Sequence, residues 1–353
     1  MTRGRTAANR APTAVVLLVA GLVLLASVTV AVTIGPAGIA AVDVWSSIGF
    51  HLGELLGGGA RGEEPPLGAL LDGVVWDLRL PRVLTAAAVG AGLAVAGAVM
   101  QSLTRNPLAD PYLLGLSSGA SLGAVAVLVL GVSLLLPVAA FAGALLALAA
   151  ALGLAGSLGT ITPARTVLAG LAVAQLCAAG TSFVIFWSAT GDSYREILAW
   201  LMGSLAGAGW TAVAIAGGGV LVLGTVLVTS GRTLDAFGFG DTAAAALGID
   251  VTRTRWVLLT VVALLTGALV SVSGSIGFIG LILPHAVRLV VGSAHRRLLP
   301  VAALAGATFL IWADTAARAL FEPRELPVGI VTAFIGAPVF ALLLWRRRTG
   351  GIE

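Results

Sequence analysis

Two arginines three residues apart, Arg79 and Arg82, stand at the head of an apolar run with Pro81 between them. A third, Arg318, lies four residues after Asp314 inside another apolar stretch. A guanidinium is a rigid fork of N–H donors that grips a carboxylate bidentately. This is chemistry for binding carboxylates, and Asp314 and Arg318 have the i,i+4 spacing of an intrahelical ion pair. What the chain lacks is equally informative. All twenty basic residues are arginine, which removes any lysine nucleophile and the phosphate loop that needs lysine to hold a nucleotide. Cys177 is alone, and His51, His285 and His295 are scattered. Neither a disulfide frame nor a metal site is expected.

The elements that must position these groups cross a membrane. The 353 residues are 58% hydrophobic and 10% charged, with mean hydropathy +1.05. A soluble domain carries roughly 25% charged residues. A bilayer span needs about 20 apolar residues. Apolar runs set against breakers predict ten spans, at 12–34, 83–104, 112–131, 137–158, 166–188, 210–229, 256–273, 277–291, 299–319 and 328–345. The fold class is thus all-α and polytopic, with one transmembrane domain over 1–353. Polar stretches at 35–78, 189–209 and 230–255 lie outside the bilayer. Gly115, Gly119 and Gly123 recur every fourth residue, the spacing of closely packed membrane helices.

Arginine placement orients the chain. With the N-terminus in the cytoplasm, ten spans leave only Arg61, Arg79, Arg82, Arg195, Arg318 and Arg324 outside; the other arginines, including Arg3, Arg5 and Arg10, fall inside. Both termini are then cytoplasmic, and the pI near 10.5 needs no nucleic-acid partner. The external arginines either snorkel to headgroups or form an external carboxylate site.

Ion-coupled transport usually requires ionisable groups at mid-depth. Asp314 is the clear intramembrane carboxylate, and Arg318 can neutralise it. Gln175, with Thr181 and Ser182 two turns on, reads either as helix–helix hydrogen bonding or as the weakly polar wall of a wide pathway. Backbone breaks are expected at Asn106-Pro107, which follows the second span, and at Leu283-Pro284-His285 within the eighth, each near the start of a four-helix half (spans two to five and seven to ten), which hints at an internal repeat. Residues 234–248 place a short Ala-rich helical piece between glycine turns, suited to docking a partner or to lying on lipid.

In family terms, the chain resembles the permease subunits of type II ABC importers for iron–siderophore complexes, haem and vitamin B12. The resemblance runs from about Val44 to the C-terminus. It rests on Leu78 to Arg82, Gly97 to Gln101, Asn106 to Pro111, Leu114-Gly115 with Ser118-Gly119-Ala120, Leu168 to Gly170 and Leu201 to Gly203. Later come Ala246 to Gly248, Gly277 to Leu281 with Pro284-His285, Ala313-Asp314 with Arg318, Glu325 to Gly329 and Gly336 to Phe340.

The resemblance implies a multi-pass protein of the bacterial cytoplasmic membrane that pairs with a second permease subunit. It implies a cytoplasmic ATPase dimer that hydrolyses ATP, so the chain itself is not the enzyme, and an external binding protein that delivers cargo. Arg79, Arg82 and Arg318 match the docking arginines. Asn106 and Leu108 match a cytoplasmic gate, as does the Pro163–Ala164 turn, which departs from the small hydroxyl residues of the vitamin B12 permease although Thr162 is adjacent. Asp241 to Gly248, with Ala245 and Leu247, matches the coupling helices in the ATPase cleft. Gln175 and Thr332 fall near the pathway. No cofactor is implied, and iron–siderophore is the commonest cargo of the family. The rival class is an ion-coupled secondary transporter, against which the scarcity of mid-membrane carboxylates argues. A membrane-embedded enzyme would need a constellation such as paired aspartates, which the sequence lacks.

Overall fold

A computed structural model describes residues 13–57, 65–132, 136–157, 162–188, 191–321 and 324–349. Arg3, Arg5, Arg10, Arg61, Glu63 and Glu64 lie outside the described residues. In chain order the helices are α1 (Thr13–Thr33), α2 (Ala41–Leu55), α3 (Gly68–Leu103), α4 (Leu116–Val129) and α5 (Leu136–Ser157). Then come α6 (Pro163–Ser188), α7 (Gly191–Met202), α8 (Trp210–Thr229), α9 (Gly231–Gly238) and α10 (Asp241–Ala246). The last four are α11 (Val251–Ser273), α12 (Ile279–Val291), α13 (His295–Ala319) and α14 (Val328–Thr349).

Among the described residues seven helices are long and apolar enough to cross a membrane, and α4, α12 and the first part of α14 are shorter apolar helices. These ten coincide with the ten expected spans. The polar stretches are less simple than expected. Residues 35–78 hold the amphipathic α2 and the opening of α3, which begins at Gly68 rather than Val83. Residues 189–209 hold α7.

The turn of α3 just before Pro81 is a wide π stretch, Val74–Arg79. Pro81 has no N–H to return to the Asp77 carbonyl, and a widened turn relieves the clash. That turn sets where Arg79 and Arg82 point.

The most buried of the long helices is α3, packed against α8, α11, α12 and α13. Glycine permits the close crossings: a Cβ at Gly90 would strike the backbone of Gly306 in α13, and one at Gly97 the backbone of Gly280 in α12. Gly119 and Gly143 bring α4 against α5 in the same way. By contrast, α1 is buried along a narrow strip, mostly against α13.

Two connections between the long helices meet inside the bundle, the first carrying a short 3-10 turn at Pro111–Leu114. Residues 104–115 follow α3, and residues 274–278 separate α11 from α12. Tyr112 Oη donates to the Ile276 carbonyl at 3.0 Å, and the hydroxyls of Ser117 and Ser275 touch. The second break therefore lies at Gly274–Phe278, both ends of which have positive φ, and not at Leu283-Pro284-His285. Pro284 sits inside α12. The carbonyl it leaves without an N–H, that of Gly280, accepts Gln101 Nε2 from α3 at 3.2 Å, and Leu281 O accepts the same group at 3.1 Å. A side chain from another helix repairs the proline defect, so the helix continues.

Candidate functional site

The functional groups collect at the two ends of α3. At the Arg82 end, Arg82 donates through Nε and Nη2 to both carboxylate oxygens of Asp314, at 2.9–3.2 Å, and through Nη1 to Glu325 at 2.7 Å. Arg318 donates to the carbonyls of Ile34 and Ala31 at 2.7 and 2.6 Å. Arg79 donates to Ala37 O at 2.5 Å and Thr33 O at 3.4 Å. The three arginines are only 5%, 8% and 3% exposed for Arg79, Arg82 and Arg318. Two of them thus occupy the C-terminal end of α1, where unpaired carbonyls and the helix dipole favour cations.

The expected Asp314–Arg318 pair is secondary, with Arg318 Nε 3.9 Å from Asp314. The main partner of Asp314 is Arg82, because the fork of α3 faces α13 squarely while Arg318 turns toward α1. Glu325 carried no assigned role beyond its family motif. Three guanidinium groups here face two carboxylates, leaving an excess positive charge in a cluster mostly closed to water.

About 30 Å along α3, the rise of some twenty residues, Ser102 Oγ donates to Leu234 O of α9 at 3.1 Å. This is the Asp241 end. Asp241 starts α10 and accepts from Arg255 Nη2 at 2.8 Å, while Arg255 also lies over the Phe237 ring at 5.5 Å. Asp235 of α9 accepts the backbone N–H of His295 at 2.8 Å and contacts its Nδ1 at 2.7 Å. These bonds fix α9 and α10 to the ends of α11 and α13. Between the fixed points an apolar knob stands out: Phe239 is 81% and Leu247 70% exposed, and Ala245 and Gly248 are exposed beside them. Gly240 and Gly248, both at positive φ, bound this turn.

The expected gate residues are at the Asp241 end of their helices. Asn106 and Leu108 are exposed, and Asn106 Oδ1 accepts the Leu108 N–H at 3.0 Å, closing a tight turn. Pro163 is the first residue of α6, and Ala164 after it is exposed. The two pathway residues part company. Gln175 is exposed on α6 on a face shared with Leu171 and Leu176. Thr332 is fully buried, its hydroxyl turned back to Gly329 O of its own helix at 3.1 Å, so it lines no open surface in this chain.

A polytopic helical bundle with a sealed charge cluster at one end and an apolar knob on short helices at the other defines a membrane transport subunit. The chain belongs to the FecCD transport family, which matches residues 16–346. It is 48% identical over 273 residues to a cobalamin import system permease of Halobacterium salinarum, covering 77% of this chain and 73% of that one. It is 41% identical over 281 residues to a hemin transport system permease of Yersinia pestis, covering 78% and 84%. An uncharacterized ABC transporter permease of Bacillus subtilis is 43% identical over 302 residues, covering 83% and 84%. Among solved structures, an inward-facing metal-chelate type ABC transporter, described as putative, aligns with TM-score 0.79 and 30% identity, covering 94% of this chain and 99% of that one.

Proposed function

We propose that this chain is the membrane-spanning subunit of an ATP-driven importer, carrying an iron–siderophore complex or a related large chelate such as haem or cobalamin. The observation that carries the reading is the pairing of family membership with an exposed apolar knob on fixed short helices. In this reading α10 and the turn to Gly248 seat in a groove of a cytoplasmic ATPase dimer. Leu247 and Ala245 fill that groove, and the Arg255–Asp241 pair transmits the push to α11. Both termini are cytoplasmic, which puts the Arg82 end outside.

There an external binding protein docks with acidic side chains against the excess positive charge of Arg79, Arg82 and Arg318. A second permease subunit faces the exposed side of α6, so that Gln175 borders a shared pathway. Asn106, Leu108, Pro163 and Ala164 close that pathway at the cytoplasmic end. A weakly polar wall suits passage, since a tight site would retain the cargo.

The test is reconstitution in proteoliposomes with its cognate ATPase and binding protein, offering ferric siderophore, haem and cobalamin in separate arms. Uptake that requires ATP and the binding protein is the expected result. Uptake driven by an ion gradient without the ATPase would replace this reading with secondary transport.

A further inference from the structure

The Arg82 fork is shared by two carboxylates of unequal standing. Asp314 takes Nε and Nη2 from within α13, where it is 1% exposed. Glu325 takes Nη1 alone from the connection between α13 and α14, with its side chain 40% exposed. Removing Asp314 would leave a buried guanidinium without its main partner. Releasing Glu325 only returns a carboxylate to solvent.

We propose that Glu325 is the resident occupant of a carboxylate position on Arg82, and that an acidic side chain of the docking protein exchanges with it. The proposal rests on the docking role given above and adds a named internal competitor. Arg82 is already stripped of water and held in place by Asp314, so an incoming carboxylate meets a preorganised donor. Expelling Glu325 raises the excess positive charge of the cluster, and the arriving acid restores it.

The exchange has a mechanical consequence. Glu325 tethers the segment that leads into α14. Leu326 N–H donates to Ala317 O at 3.1 Å, and Gly329 N–H donates to Gly203 O, just past α7, at 3.1 Å. A Cβ at Gly329 would fall on the Met202 carbonyl, so α14 and the end of α7 are in backbone contact. Only Leu326, Pro327 and Val328 lie between Glu325 and that joint. Freeing Glu325 loosens the joint from the α13 side, and docking is felt at the outer ends of α7 and α14.

The test uses the full chain with its ATPase partner in lipid nanodiscs and measures binding of the cognate binding protein without nucleotide. Glu325→Gln keeps the Arg82–Asp314 fork and removes the competing charge. Binding should tighten about two- to fivefold, the scale of a half-exposed ion pair. Glu325→Asp, which keeps the charge on a shorter arm, should fall between that variant and the native chain. A nitroxide on Arg324→Cys in a Cys177→Ala background should gain mobility when the binding protein docks.

Unchanged affinity in Glu325→Gln with unchanged label mobility overturns the exchange. Weaker binding overturns it too, since Glu325 would then be a docking contact itself. The docking role is checked separately by neutralising acidic residues on the binding protein. If binding to the native chain survives that change, both docking and exchange fail; if it is lost while Glu325→Gln stays silent, only the exchange fails.

Discussion

The two ends of α3 solve opposite problems with the same residue types. At the Arg82 end the ionic groups are sunk, multiply bonded and shared among α1, α3 and α13. At the Asp241 end one arginine and one histidine fasten short helices, and what projects is apolar. A charge that waits for a partner is best kept rigid and dry, because desolvation and ordering are then complete before contact. An apolar knob needs no such preparation, only a fixed base. On the proposed function, the first end is therefore costly to disturb for stability, and the second for coupling.

The largest effect should come from Arg82→Ala. It leaves Asp314 buried without its main counter-charge and should destabilise the chain by about 3–5 kcal/mol, read as a fall in melting temperature in detergent. An unchanged melting temperature would erase the contrast between the ends. Gln101→Leu should cost about 1–3 kcal/mol, because the Gly280 carbonyl facing Pro284 loses its donor; the same melting assay locates how far the rigid region extends along α3.

Leu247→Glu should lower ATP-dependent uptake at least about tenfold, roughly 1.4 kcal/mol of coupling, with the melting point held, since exposed substitutions shift stability by about 0.5 kcal/mol or less. A folded variant with normal uptake would remove the knob from the coupling role. The smallest effect is expected of Asp241→Asn, about 1 kcal/mol or less for a pair with a half-exposed partner. Its uptake should drop less than that of Leu247→Glu.

The ten crossings were legible because each is a predominantly apolar run set off by polar or breaker residues, and burial in lipid leaves the pattern little freedom. The Ala-rich piece between Gly240 and Gly248 was legible for a related reason, since glycines mark its turns. Ionic partners were not. Arg82 and Asp314 are 232 positions apart, and nothing local in either segment favours that pairing over the nearer Arg318. Pro284 misled because its effect depends on Gln101, whose amide caps the Leu281 carbonyl from 180 positions earlier in the chain. The amphipathic α2 and α7 were hidden by their polar residues, which resemble loop composition. Gln175 and Thr332 look alike as lone polar residues in apolar runs, and only packing separates the exposed one from the buried one.

The clasp on α1 bears on how the protein is made. Arg318 reaches back 284 and 287 positions to Ile34 and Ala31. During synthesis α1 precedes α13, and of the two arginines at its end Arg79 of α3 comes well before Arg318. Most of the seat of α1, and the second arginine, arrive only when α13 is inserted. An early helix is thus completed late, and a nascent chain halted before α13 would leave α1 held mainly through its contacts with α3.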